Sequence, residues 1–178
     1  MKVICISGKA GHGKDTFAGF LKKSLEEQYK RVLITHYGDL IKYVCEKFFE
    51  WDGMKDEKGR TLLQQIGTER IRSKKPNFWV SFIADILELF PDEWDFVLIP
   101  DARFPNEVNH LKEKGFDVMH VHVERPGHNI LTEEQKKHKS ETAMDGFPAD
   151  LVVYNDSTPK AFREKAGNLA ILLTRIFK

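Results

Sequence analysis

The chain has 178 residues, 41% of them apolar and 31% charged, the size and composition of one soluble globular domain, which excludes disorder, low-complexity and repeat architectures. A formal net charge of +1 gives no global field to draw in nucleic acid, so an anionic partner must be held by a local basic cluster. Two cysteines, Cys5 and Cys45, sit among apolar neighbours and are read as free buried thiols in a reducing compartment, not as a disulfide framework or a metal site.

The chain opens with Val3-Ile4-Cys5-Ile6, a β-branched apolar run that predicts a strand buried on both faces of a parallel sheet. It is too short for a signal-peptide core, and no later stretch reaches the length of a bilayer span, so the expected location is the cytosol. From Thr16 onward Phe17, Phe20, Leu21 and Leu25 recur at helical spacing. A second strand is predicted over 31–35. Asp39 then caps a helix whose expected buried face is Ile41, Val44, Cys45, Phe48 and Phe49. After a turn-rich patch, helices are predicted over 61–72 and again from Pro76-Asn77, the latter with the stripe Phe78, Phe82, Ile83, Ile86 and Leu87. These helices read as one insertion, about 39–92.

Phe96-Val97-Leu98-Ile99 predicts a strand ending at Pro100-Asp101, followed by a helix over 107–114 and a strand over 118–123. Residues 125–146 are polar, carry Lys136, Lys137 and Lys139, and lack sustained hydrophobic spacing, so they read as a mobile flap. A strand over 151–154 and a helix over 159–177, with Phe162, Leu169, Leu172, Leu173 and Ile176 inward, close the chain. The strand–helix alternation predicts a single α/β domain with a mostly parallel five-stranded sheet and helices on both faces. Ligands then belong at the carboxyl ends of the strands.

Gly8-Lys9-Ala10-Gly11-His12-Gly13-Lys14 has the spacing of a phosphate-binding loop, Gly, four residues, Gly-Lys, between a strand and a helix. Glycines let backbone N–H groups turn inward around phosphate oxygens, the helix dipole adds positive charge, and Lys14 reaches the outer phosphates. The expected ATP contacts are Gly8, Ala10, Gly11, His12, Gly13, Lys14, Asp15 and Thr16, with the ring of His12 mattering less than its backbone. Asp15 stands where Ser or Thr usually ligates Mg2+; it either helps hold the metal while Thr16 bonds a phosphate oxygen, or it complements the helix N-terminus. Asp101, just past a strand, is the candidate second metal-orienting carboxylate and also faces the acceptor. Arg70, Arg103 and Arg125 are the candidate clamps for charge developing during transfer, with Gln65 beside Arg70 on the acceptor side. A metal site from His120, His122, His128 and His138 is not favoured, since their spacing does not suit one.

These residues resemble the bacteriophage-type deoxynucleoside monophosphate kinases, relatives of dephospho-coenzyme A kinase and the nucleoside monophosphate kinases. The resemblance rests on Gly8 to Thr16, Gly38-Asp39-Leu40-Ile41-Lys42, Leu63 to Glu69, Asp101-Ala102-Arg103-Phe104-Pro105-Asn106-Glu107, His138-Lys139-Ser140-Glu141 and Leu151 to Asn155. It implies a three-layer P-loop fold with a helical acceptor-binding insertion and a lid, ATP and Mg2+ as donor and cofactor, and a deoxynucleoside monophosphate as acceptor. It further implies that Asp39 and Lys42 face the acceptor and that Asn155 lies near the donor adenine. Leu40 stands where many relatives have proline, and Pro100 where many have a second acid. A kinase of another small molecule, such as dephospho-coenzyme A, stays open as an alternative, as does a nucleotide-dependent switch. The expected partners are small nucleotides, without nucleic acid or membrane, and a homodimer is open.

Overall fold

The computed structural model describes residues 1–54 and 56–176. β1 (Lys2–Ser7) is buried along its whole length because its two faces serve two different cores: Ile4 and Ile6 point into one, Val3 and Cys5 into the other. Around it β2 (Val32–Ile34), β3 (Phe96–Ile99), β4 (Asp117–Glu124) and β5 (Leu151–Tyr154) complete the sheet. The order is β2-β3-β1-β4-β5, and every pairing is parallel. The order reverses at β1, so the crevice beyond its carboxyl end is where an α/β sheet offers a ligand site.

One layer is formed by α1 (Lys14–Glu26) and α8 (Pro159–Ile176), whose Phe17, Leu21, Leu25, Phe162, Leu169 and Leu173 meet Ile4 and Ile6. The other contains α2 (Tyr37–Phe48), α4 (Phe78–Leu89) and α5 (Pro105–Glu113), with Tyr37, Trp79, Val80, Leu87, Val108 and Leu111 on Val3, Cys5, Val97 and Ile99. The architecture is therefore the expected three-layer α/β sandwich with a five-stranded parallel sheet.

Several helix faces differ from expectation. α2 begins at Tyr37, two residues before Asp39, and buries Tyr37 and Cys45 while Phe48 and Phe49 are exposed. In α4 the inward residues are Trp79, Val80, Ile83, Ala84 and Leu87, and Phe78 and Phe82 are exposed. In α8, Ala166 and Ala170 take the buried positions and Leu172 and Ile176 face outward, because small residues let α8 lie close on α1. Phe177, predicted to end that helix, lies outside the described residues.

The helix expected over 61–72 starts earlier, as α3 (Glu57–Gln64), where the Asp56 side chain accepts from Gly59 N–H at 2.8 Å. From Gln65 to Arg72 the winding widens to a π-helix. The Gly67 carbonyl, within this wide turn, accepts from Trp79 Nε1 at 2.9 Å. The segment 125–146 contains two short helices, α6 (Glu133–Lys136) and α7 (Lys139–Thr142). It is not the coreless flap expected: Met144 joins the core and Glu141 is buried.

Candidate active site

The loop after β1 has the backbone its glycines permit. Gly8 has φ +141°, and a Cβ there would lie 2.2 Å from the Val123 carbonyl oxygen on β4, so only glycine fits. Gly13, at φ +94°, turns the chain into α1 against the Asn155 amide. Asn155 Nδ2 donates to the His12 carbonyl at 3.1 Å, bracing the loop from the end of β5. The His12 ring, expected to be incidental, is buried, and its Nδ1 accepts from Arg125 N–H at 3.2 Å. Burial holds its pKa below the usual value.

Lys14 is buried, and its Nζ donates to the carbonyls of Gly8 at 2.8 Å and Lys9 at 3.0 Å. Burial, assisted by the Arg103 guanidinium, lowers its pKa to about 8. An ammonium so poorly solvated is one that a bound polyphosphate would stabilise strongly.

Asp15 stands in the first turn of α1, and its Oδ1 meets His36 Nε2 at 2.8 Å. His36 Nδ1 lies 3.4 Å from Asp39 Oδ2, and Lys42 Nζ bonds Asp39 Oδ1 at 2.7 Å. With a carboxylate at each ring nitrogen, His36 has a raised pKa, chiefly through its bond to Asp15, and the same bond lowers that of Asp15. Sequence reasoning missed His36, although its position just past β2, at the ligand edge of the sheet, was the available signal.

The motif from Asp101 to Glu107 is largely a clamp. Asp101 accepts from Tyr37 N–H at 3.0 Å and Gly38 N–H at 2.8 Å, so it, not Asp39, caps α2. Its burial raises its pKa despite these bonds. Glu107 Oε2 accepts from the backbone N–H groups of Arg103 at 2.6 Å and Phe104 at 3.0 Å, while Oε1 receives Arg72 Nη2 at 2.5 Å. The Arg72 guanidinium also lies over the Phe104 ring, 4.0 Å from its centroid. Asn106 Nδ2 ties the same turn to the Pro76 carbonyl at 2.9 Å. Arg103 Nη1 bonds Glu141 Oε1 at 2.5 Å.

A cavity of about 420 Å³ joins these elements. Of the residues predicted from sequence, Ala10, Gly11, Lys14, Asp15, Lys42, Asp101 and Arg103 line it. Gly8, His12, Gly13 and Asn155 shape the loop from behind. Asp39 reaches the cavity only through its bonds to His36 and Lys42. Thr16, Gln65, Arg70 and Arg125 are exposed and do not line it. For the insertion the reason is register: Arg60, Gln64 and Thr68 face the cavity four residues apart, and Gln65 and Arg70 fall on other, exposed sides of the same segment. Among the described residues no group of three or more His, Cys, Asp or Glu is arranged to hold a metal unaided.

A phosphate loop at the switch point of a parallel sheet, opening on a cavity walled by a helical insertion and the 125–146 segment, gives the chain the fold of the P-loop kinases. Solved structures agree on the fold: APS kinase CysC of Mycobacterium tuberculosis, in complex with AMPPNP and APS, superposes with a TM-score of 0.54 at 17% identity, covering 97% of each chain. Shikimate kinase from Aquifex aeolicus superposes at 0.52 with 14% identity, covering 99% of each chain. The model of the deoxynucleotide monophosphate kinase family matches residues 52–166, and the chain belongs to that family. It is 31% identical over 114 residues to the deoxynucleotide monophosphate kinase of Enterobacteria phage T4, a match covering 61% of this chain and 44% of the phage protein. It is 25% identical over 189 residues to a putative deoxynucleotide monophosphate kinase of Acanthamoeba polyphaga mimivirus, covering 91% of this chain and 92% of that one. No described helix is long and apolar enough to cross a membrane.

Proposed function

We propose that this chain transfers the terminal phosphoryl group of ATP, with Mg2+, to a deoxynucleoside monophosphate, giving the diphosphate and ADP. The observation that carries the reading is one cavity lined both by Lys14 and Asp15 of the phosphate loop and by Gln64 and Thr68 of the insertion. That arrangement suits a donor phosphate chain and an acceptor nucleotide meeting end to end.

The acceptor phosphate oxygen attacks the terminal phosphorus and the bond to the ADP oxygen breaks, so no protein nucleophile is needed. Lys14 stabilises the charge on the transferred group and Arg103 the charge shared between donor and acceptor. Arg70 and Arg125, which do not line the cavity, serve as further clamps only when the insertion and lid close on substrate. Asp39, through its bonds to Lys42 and His36, orients the acceptor side, and Gln65 contributes there only on the same closure. Asn155 supports the donor site through the loop.

Mg2+ is commonly bound by one or two carboxylates together with substrate phosphates and waters, and the donor set fits that mode. Asp15 is the exposed carboxylate at the loop, with Thr16 beside it, and Asp101, both of whose oxygens already accept backbone N–H bonds, would act through water. When bound, the ion neutralises charge on the phosphates. A cytosolic setting accords with the free thiols Cys5 and Cys45; small nucleotides are the proposed partners, without nucleic acid.

The test is an ATP-to-acceptor assay across ribo- and deoxyribonucleoside monophosphates and dephospho-coenzyme A, with Lys14→Ala as control. Diphosphate formed from a deoxynucleotide and lost in the variant is the expected result. Transfer to dephospho-coenzyme A alone would refute the acceptor, and transfer to none would refute the kinase reading.

A further inference from the structure

Glu141 is the lid residue whose carboxylate bonds both the phosphate loop and Arg103. Its Oε2 accepts from Ala10 N–H at 3.2 Å and its Oε1 from Arg103 Nη1 at 2.5 Å. Its side chain is 7% exposed, against 40% for Arg103. Three further contacts seat this part of the lid: Lys9 Nζ donates to the Glu141 carbonyl and to the Asp145 carboxylate, and Met144 is buried in the core.

The two donors that Glu141 engages, a phosphate-loop N–H and a guanidinium, are the kind that bind phosphate oxygens. Loop N–H groups at the start of the helix cradle the inner phosphates and the loop lysine reaches the outer ones. Ala10 lies on the opposite arm of the loop and lines the cavity with Lys14 and Arg103, the two groups assigned above to the transferred phosphoryl group. A carboxylate and a phosphate oxygen both carry negative charge and accept the same hydrogen bonds, so the two compete for these donors and repel one another at the same place.

We propose that Glu141 stands in for the terminal phosphate of the donor nucleotide, holding Ala10 N–H and Arg103 until ATP displaces it. Binding of ATP then expels the Glu141 carboxylate, frees Arg103 for the transferred group and unseats α7 from the loop. ADP, which has no terminal phosphate to compete for these donors, leaves the contact in place. The Glu141 contact is thus a latch that a nucleoside triphosphate releases and a diphosphate does not, leaving the lid free to close on substrate. This rests on the donor-site reading above.

The experiment measures ATP and ADP affinity by calorimetry on the full chain, for wild type, Glu141→Gln and Glu141→Ala, with Lys14→Ala as the control for the donor site. Removing the competing charge should tighten ATP about tenfold while ADP changes less than about twofold, a difference the size of one charge-assisted hydrogen bond. Taking the ratio of ATP to ADP affinity within each variant cancels any loss of folding that a variant brings. An unchanged or lowered ratio in both variants would overturn the proposal. If ATP binds wild type and Lys14→Ala abolishes it, such a result overturns the latch alone. If wild type binds no ATP, the donor-site reading fails and the latch with it.

Discussion

Arg72→Met should destabilise the chain by about 3 kcal/mol at pH 8, the lower end of the loss expected when one partner of a buried ion pair is removed. The pair is buried on both sides, with 10% of the Arg72 side chain and 2% of that of Glu107 exposed. Methionine keeps the apolar stem but leaves the Glu107 carboxylate with only the two backbone N–H donors of Arg103 and Phe104, and it gives up the stacking on Phe104. The loss sits at the lower end because Arg72 Nε is buried with no hydrogen-bond partner among the described residues, and removing an unsatisfied donor returns part of it.

The pH dependence follows from Glu107. Burial already holds its carboxyl above the ordinary 4.5, with Arg72 the leading influence in the other direction, so the variant carries it higher still. Between the unfolded and folded values the native state binds more protons than the unfolded chain, and stability falls as pH rises. The loss should therefore be smaller at pH 5 than at pH 8. Urea denaturation at both values measures it, and a cycle with Glu107→Gln should return a coupling of about 1 to 3 kcal/mol. A loss below about 1 kcal/mol at pH 8, or one equal at both pH values, would refute the argument. Because this turn carries Asp101 and Arg103 to the cavity, the rate of transfer should fall as well.

Gly8→Ala should lower stability by at least about 2 kcal/mol and weaken ATP binding, since its Cβ would lie 2.2 Å from the Val123 oxygen; thermal melts with and without ATP check both. Asp15→Ala should raise the Mg2+ concentration needed for half-maximal rate several-fold, and an unaltered Mg2+ profile would remove Asp15 from the metal site. His36→Asn should cost under about 1 kcal/mol, discounted for the exposure of Asp15, and only at low pH. The folded pKa of His36 is raised, so its contribution is complete below about 6.5 and disappears as pH rises through the folded value. Denaturation midpoints at pH 6 and pH 9 should differ between variant and wild type only at the former.

Much of the site's location was legible in the sequence because the signals were local. The loop from Gly8 to Lys14 carries its own geometry: glycine at positions needing positive φ, lysine at a fixed spacing, strand before and helix after. β1 and β3 were legible for a similar reason, since each is buried on both faces and reads as a continuous apolar run. Helix faces were read less well where a long apolar residue was taken for a core position, as with Phe48, Phe78 and Leu172. The actual stripe is set by which residues the neighbouring layer admits, and Ala166 and Ala170 are small enough to be admitted.

What the chain order alone determined was a phosphate-binding α/β domain with its ligand edge at the end of β1. What only the tertiary structure decided was which distant groups share that edge. Asp101 caps a helix 63 residues earlier in the chain, Arg72 neutralises Glu107 35 residues away, and Glu141 reaches Ala10 across 131 residues. Arg60 and Gln64, not Arg70 and Gln65, face the cavity, and Trp79 bonds the Gly67 carbonyl of the same insertion. Spacing along a chain fixes only contacts within an element, whereas these pairings depend on how separate elements pack, and a side chain's role changes with the partner that packing delivers.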